Sequence, residues 1–336
     1  MRRLVVFLCI LLAASGAFAQ SFAFSQFQSA FQDFAKSTAS ALPLDASVGL
    51  NWSDAYIGQL LDVPPHFGIG VTAGAATIPF SAVNKAISAF QGNLPSSLSF
   101  ISSVGIPLPV YTIDVRIGGF VLPFDIGLKF GYLPPNGFSG SFSADYLIVG
   151  GDIRYALLKD NGLSPGLSVG VGYTYMRGSV SLPGVLGHNV TVTSVQFPDG
   201  TTPTIGFTDP RLDFLWNTSV IDAKVQLSKT LFFITPYIGL GASYGISSAG
   251  GGMSANMLVG GSTPTQAQIN QINQATGSNY TLQNPGFAVK ESASGVSARV
   301  FGGFSFNVLI LKIGLGAEYE FLSGSMAGMA NVRIQL

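Results

Sequence analysis

Charge is the scarcest property of this 336-residue chain: Lys and Arg number 16, Asp and Glu number 16, and the four together make up 10% of it. Ordinary soluble domains carry roughly 25% charged residues. The even balance leaves no basic excess to neutralise phosphates, so no nucleic-acid partner is expected. Cysteine is nearly absent, with Cys9 alone, which excludes an internal disulfide. The two histidines, His66 and His188, lie far apart, and no carboxylates have calcium-loop spacing, so neither a metal nor a cofactor is expected. Long apolar runs are missing too. Beyond residue 20, Gly, Ser, Asp or Lys interrupts every stretch before the roughly 18 residues that a membrane helix needs. Against these absences stand 47% hydrophobic residues, 42 Gly and 26 Phe, a composition that also excludes disorder. Apolar, poor in charge and lacking membrane helices, such a chain is left with strands as its means of crossing a bilayer.

Residues 1–19 place Arg2 and Arg3 before the apolar run Leu4–Ala13 and end Ala17-Phe18-Ala19, the pattern of a cleavable secretory signal peptide. Cys9 lies inside it and follows Leu8, without the small residue of a lipoprotein site. Without Arg2 and Arg3, 14 basic residues face 16 acidic ones, so the exported chain carries no strong field.

Period-two alternation over strand-length segments marks ten membrane strands. Their apolar faces are Phe67–Ala73, Tyr111–Ile117, Phe124–Tyr132, Leu147–Leu157, Leu167–Tyr175, Ile221–Leu227, Ile234–Tyr244, Val296–Phe306, Leu311–Phe321 and Val332–Leu336. The charges test this choice, because Arg or Lys on the lipid face costs roughly 2–4 kcal/mol at the midplane. Asp114, Arg116, Asp125, Lys129, Asp152, Arg154, Asp222, Lys224, Arg299, Lys312, Glu318, Glu320 and Arg333 all take the opposite, lumen-facing parity. Asp145 and Arg177 share the apolar parity, at what should be the outer ends of their strands. The expected fold is therefore an all-β, antiparallel, up-and-down transmembrane β-barrel of about ten strands, within a range of 8 to 14. It occupies residues 66–336.

Connections alternate in length as outer-membrane barrels require, with long extracellular loops at 78–106, 182–212 and 247–291, short periplasmic turns and both termini periplasmic. One connection, around Ser323–Ser325, is short where a long one is expected. Helical candidates fall at Ala82–Phe90 and Thr265–Gly277, and Pro236 inside a strand calls for a bulge. Gly239 and Gly241 should relieve crowding on the inner wall.

Ahead of the barrel, residues 20–65 hold an amphipathic helix and a partly ordered lead-in. Phe24, Phe27, Phe31, Phe34, Thr38 and Leu42 recur at helical spacing. The helix could plug the lumen, cap the periplasmic mouth or lie on the membrane surface. A helix is about 10–12 Å wide and barrel width grows with strand number, so ten strands should be too narrow for a full plug. A helix inside would then require further strands from 46–58 or 182–212.

The stretch Thr235-Pro236-Tyr237-Ile238-Gly239-Leu240-Gly241-Ala242-Ser243-Tyr244-Gly245 resembles strands of small bacterial outer-membrane barrels of the OmpA and OmpW type. An exported chain with a helix ahead of a barrel loosely resembles the fatty-acid-transporter barrels and uncharacterised outer-membrane barrel families. That resemblance implies the bacterial cell outer membrane as location and outer-membrane lipid as partner, and carries over no binding residue.

Three functions remain. The first is a porin-like transport barrel, passing or capturing a small apolar solute with the helix as gate or plug. The second is a closed structural barrel whose extracellular loops bind a surface partner. The third, a rim-sited lipid-modifying or proteolytic enzyme, is not expected, because His188 has only Ser181, Asn189 and Thr191 near it in sequence and no paired Asp. The lumen charges form a girdle of six acids and seven bases, either a salt-bridged seal or the constriction of a channel whose upper part is lined by Ser, Thr, Gly and Tyr.

Overall fold

The computed structural model describes residues 24–57, 66–78, 106–118, 123–134, 143–161, 163–183, 189–194, 196–197, 200–209, 211–276 and 286–336. The signal peptide 1–19 with Cys9, the helical candidate at 82–90 and His188 lie outside them.

Ten strands close into one antiparallel barrel: β1 (His66–Ile78), β2 (Ile106–Gly118), β3 (Phe124–Leu133), β4 (Ser143–Leu158), β5 (Gly166–Leu182), β8 (Arg211–Ser228), β9 (Ile234–Ser254), β11 (Gly286–Val308), β12 (Leu311–Glu320) and β13 (Met326–Gln335). Around the wall they run β1-β13-β12-β11-β9-β8-β5-β4-β3-β2. Each matches one of the ten segments read from alternation, with Phe321 and Leu336 falling one residue beyond their strands. The reason is the pleat, which sends successive side chains to opposite faces. Val71, Leu128, Val171 and Ile221 project outward and are more than half exposed, while their neighbours Thr72, Lys129, Gly172 and Asp222 turn to the lumen.

Three expectations need correction. Pro236 causes no bulge: the β11 ladder runs through it in register, and the β8 ladder is regular up to Tyr237. Pairing with β8 stops at Tyr237, and Pro236 offers its carbonyl to the Lys229 amide at the turn, so its missing N–H is lost where the β8 ladder has already ended. The bulge falls instead at Ala156/Leu158 in β4. Second, the outer loops are partly wall, since β9 rises to Ser254 and β11 starts at Gly286. With 21 and 23 residues they stand far above β3, β12 and β13, which have 10 each. Third, loop residues fold into a small head, a sheet of β6 (Val190–Ser194), β7 (Thr204–Phe207) and β10 (Met257–Val259). Phe197, Ile205, Met257, Val259 and Ile272 form its core. Ile272 comes from helix α2 (Gln266–Thr276), close to the helix expected at Thr265–Gly277.

The helix ahead of the barrel, α1 (Phe24–Asp45), ends three residues beyond the last position of its pattern, Leu42, and carries Pro43 in its last turn. It packs against β9, β11, β8, β1 and β13, so it lies within the wall. A strand count of ten and a helix inside therefore coexist. No further strand is recruited from residues 46–57, which form turns and irregular chain.

If the outward row faces lipid, Val171→Arg should lower stability in phospholipid vesicles by about 2–4 kcal/mol, read from denaturant unfolding. An unchanged midpoint would show that this face does not meet hydrocarbon.

Candidate functional site

The lumen has two tiers. In the half nearer the long connections it is apolar. Ala39, Leu42, Leu44 and Val48 of the inserted segment meet Val110, Tyr146, Ile148, Met176, Trp216 and Met329 of the wall in one buried cluster. Phe31 and Phe34 pack on Phe214, with ring centroids 5.9 and 5.1 Å apart. Part of the expected Ser, Thr, Gly and Tyr lining is there, with Tyr146 in the cluster and the buried Thr218 and Ser247 hydroxyls 2.7 Å apart, and aliphatic and aromatic side chains fill the rest. Of the predicted apolar helix face, Phe31 and Leu42 are buried and Phe34 half-buried, while the side chains of Phe24 and Phe27 lie outside the described residues. Ala35, Thr38, Ala39 and Ala41 are buried as well. Their small side chains bring the helix axis close to the wall, which is how a helix fits where its usual width would not.

Below this tier the chain turns at residues 46–49 and descends through the girdle. Its direction is fixed by contacts at both ends. Gln32 donates to Glu291 of β11 near the long-connection end (2.6 Å), and the Ile57 amide donates to Asp125 near the short-turn end (3.3 Å). The segment thus enters from the loop side, opposite to the mouth that a periplasmic cap would have covered.

Charged wall residues grip this segment by its backbone. Lys129 Nζ donates to the Ala46 and Val48 carbonyls at 2.5 and 2.7 Å. Arg116 reaches Leu50 O (3.1 Å), Gln226 reaches Trp52 O (2.7 Å), and Arg154 reaches Asp54 O (2.7 Å). Glu318 accepts from Ser47 Oγ and Asn51 Nδ2, and Lys224 donates to Asn51 Oδ1. Asp54 supplies the strongest anchor, with one carboxylate oxygen 2.7 Å from Lys312 Nζ and the other 2.7 Å from Arg333 Nη2. The shared carboxylate gives each of the two buried cations an anionic partner, and neutral Ser53, Asn331 and Gln335 accept from other Arg333 donors.

Trp52 completes the anchor. Its ring is fully buried and lies between two guanidinium groups, 5.6 Å from Arg116 and 5.1 Å from Arg333. Gly68 makes room for it, since a Cβ there would come within 2.6 Å of the ring. Gly245 does the same for Pro43, where a Cβ would also meet a ring carbon at 2.6 Å. The inner-wall Gly239 and Gly241 give similar space to Phe301 and Arg299.

Twelve of the thirteen predicted girdle residues converge on this tier, and the pairing crosses strands as expected. Arg116 binds Asp125 and Asp152, Arg154 binds Asp125, Lys224 binds Asp152, and Arg299 binds Asp222 and Glu318. Asp114 accepts from the Thr72 and Thr112 hydroxyls. Glu320 is the exception: it staples the β12–β13 turn by accepting from the Leu322 and Ser323 amides. Of the histidines, His66 is buried beside Tyr56 with ring centroids 6.4 Å apart. Residues 46–57 were missed as a functional element. Their signal was arithmetic, seven inward bases against six acids with Asp45 and Asp54 just upstream. Beside Asn51 a cavity of about 20 Å³ bounded by Lys129, Asp152, Thr174, Asp222 and Lys224 remains, room for about one water.

A scan against protein-family models finds no match, and neither does a search of curated proteins. Solved structures similar to this chain include the attachment invasion locus protein Ail of Yersinia pestis, at 10% identity and TM-score 0.28, covering 82% of this chain and 100% of that one. The outer membrane protease OmpT of Escherichia coli matches at 9% identity and TM-score 0.35, over 81% of this chain and 96% of that one. The translocator domain of the autotransporter NalP of Neisseria meningitidis matches at 11% identity and TM-score 0.34, over 90% and 97%.

Asp54→Ala should cost about 3–5 kcal/mol, because it leaves the buried Lys312 and Arg333 without their shared carboxylate; denaturant unfolding in detergent reads this. A loss below about 1 kcal/mol would mean the pairings are solvated. In a Trp216→Phe background, Trp52 becomes the sole tryptophan of two. Gly68→Val should then shift its emission to the red as the ring is driven from its slot.

Proposed function

We propose that this chain is a bacterial outer-membrane barrel that captures a small apolar solute in the upper tier of its lumen, with α1 as the gate and residues 46–57 as a fixed floor. The long connections then face outward and the short turns face the periplasm, with lipid around the exposed apolar belt. The observation that carries the reading is the division of the lumen into an apolar chamber and a polar floor.

The two parts of the inserted segment are held differently. Residues 46–54 are bound through charge-assisted hydrogen bonds that a solute could not replace, and breaking them would strand buried charges. In the chamber, α1 contributes Ala39, Leu42 and Leu44 to an apolar cluster, and its Phe31 and Phe34 pack on Phe214 beside it. An apolar solute can replace such contacts without leaving any polar group unsatisfied. Entry from the loop side would thus displace α1 and leave the floor in place. A second reading, a closed platform whose head and loops bind a surface partner, is favoured by the tight filling of the floor.

Three refolded proteins separate the readings: the chain from residue 20, the same chain without residues 24–45, and the same without 24–57. In planar bilayers the first two should stay closed and the third should conduct. An apolar fluorescent probe such as N-phenylnaphthylamine should gain emission with the intact chain, where it must displace α1, and gain more at the same concentration when α1 is absent and the floor is retained. A chain without 24–45 that stays closed and takes up no probe would leave the closed platform standing.

A further inference from the structure

The short connection between β12 and β13 on the loop side leaves part of the barrel wall without a neighbour among the described residues. β11 pairs with β9 from Gly286 to Phe306, but with β12 only from Arg299 to Val308. The β12–β13 turn ends the pairing there, its last rung being the Phe321 amide bonded to Ala298 O at 2.9 Å. Above that rung, from Val289 to Ser297, the β12 side of β11 has no backbone or side-chain partner among the described residues.

The orientation of this edge follows from strand geometry. The Ala298 amide and carbonyl both turn toward β12, where they meet Glu320 Oε1 and the Phe321 amide. Alternation then sends the N–H and C=O of Val296, Ser294, Ser292 and Lys290 to the same open side, while Gly295, Ala293, Glu291 and Val289 bond to β9. Lys290, Ser292, Ser294 and Val296 are all exposed. The inner face of this stretch is covered by α1, through Gln32 on Glu291 and the packing around Ala293. What the described residues leave uncovered is a row of donor–acceptor pairs about 6.8 Å apart, with the Lys290 ammonium on its outward side.

We propose that the upper edge of β11 is a strand-addition site that takes an extended polypeptide segment of a partner protein bearing an acidic side chain opposite Lys290. Paired amides and carbonyls at two-residue spacing match the backbone of another strand. A lipid headgroup or a glycan lacks that repeat. Lys290 and Gly295 temper the edge against indiscriminate pairing, and Lys290 adds selectivity for negative charge.

The test uses the refolded chain from residue 20 in detergent and a labelled synthetic peptide copying Tyr244–Ser254, the segment that pairs with the opposite edge of β11. A second copy carries Gly250→Glu, the position that faces Lys290 in the β9 register. In the free protein the amides of Lys290, Ser292, Ser294 and Val296 should exchange quickly with solvent, and peptide should slow them. The Gly250→Glu peptide should bind more tightly than the plain copy. Ser292→Pro removes a donor on the open side and leaves the β9 ladder intact, so it should weaken binding at least ten-fold with unfolding unchanged. Three results would overturn the proposal: protection of these amides before peptide is added, no protection at millimolar peptide, or equal binding by Ser292→Pro. In the first case, sedimentation separates cover by residues 79–105 of the same chain from a second copy.

Discussion

A charge inside a narrow, largely dry bore must find its partner within that bore, and the rest of this architecture answers to that constraint. With Glu320 committed to its turn, seven inward bases face five wall acids, and Asp114 accepts hydrogen bonds only from the Thr72 and Thr112 hydroxyls. The wall alone cannot satisfy Lys129, Lys312 and Arg333. The chain upstream of β1 does so, with the Ala46 and Val48 carbonyls for Lys129 and the Asp54 carboxylate for the other two. The girdle is therefore a socket, and residues 46–57 are the part it was built to hold.

The same constraint explains the division of the lumen. Where the wall is charged, the inserted chain offers irregular backbone whose carbonyls are free to accept. Where the wall is apolar, it offers a helix, whose own backbone groups are already satisfied and whose buried face carries the small Ala35, Ala39 and Ala41. Each conformation of the inserted chain thus matches the tier it occupies. A helix low in the socket would bury cations against a wall of closed hydrogen bonds. Irregular chain in the upper tier would leave amides in an apolar cluster.

Much of this was legible in the sequence. The ten strands and the facing of Asp114 through Arg333 follow from period-two alternation, because a charge on the lipid side is too costly to persist. The helix was legible from its spaced phenylalanines, but its place was not. The width argument took a helix of average side chains and overlooked Ala35, Ala39 and Ala41, and it took no account of a wall thinned at Gly245, where Pro43 packs. Asp54 escaped because nothing local distinguishes it; its meaning lies in Lys312 and Arg333, more than 250 positions away. The head sheet joins β6, β7 and β10 across two loops, a pairing that no local pattern encodes.

The central claim, that residues 46–57 sit in the girdle as an integral part of the barrel, is open to a direct covalent test. The Ser53 and Ser305 hydroxyls lie 2.7 Å apart, both buried, and the chain beyond residue 20 contains no cysteine. Ser53→Cys with Ser305→Cys, refolded from residue 20 and oxidised, should form an intramolecular disulfide that changes electrophoretic mobility without reductant. Each single cysteine should resist a water-soluble maleimide in the folded protein. Free, rapidly labelled thiols in the folded double variant would place the segment outside the lumen and contradict the account.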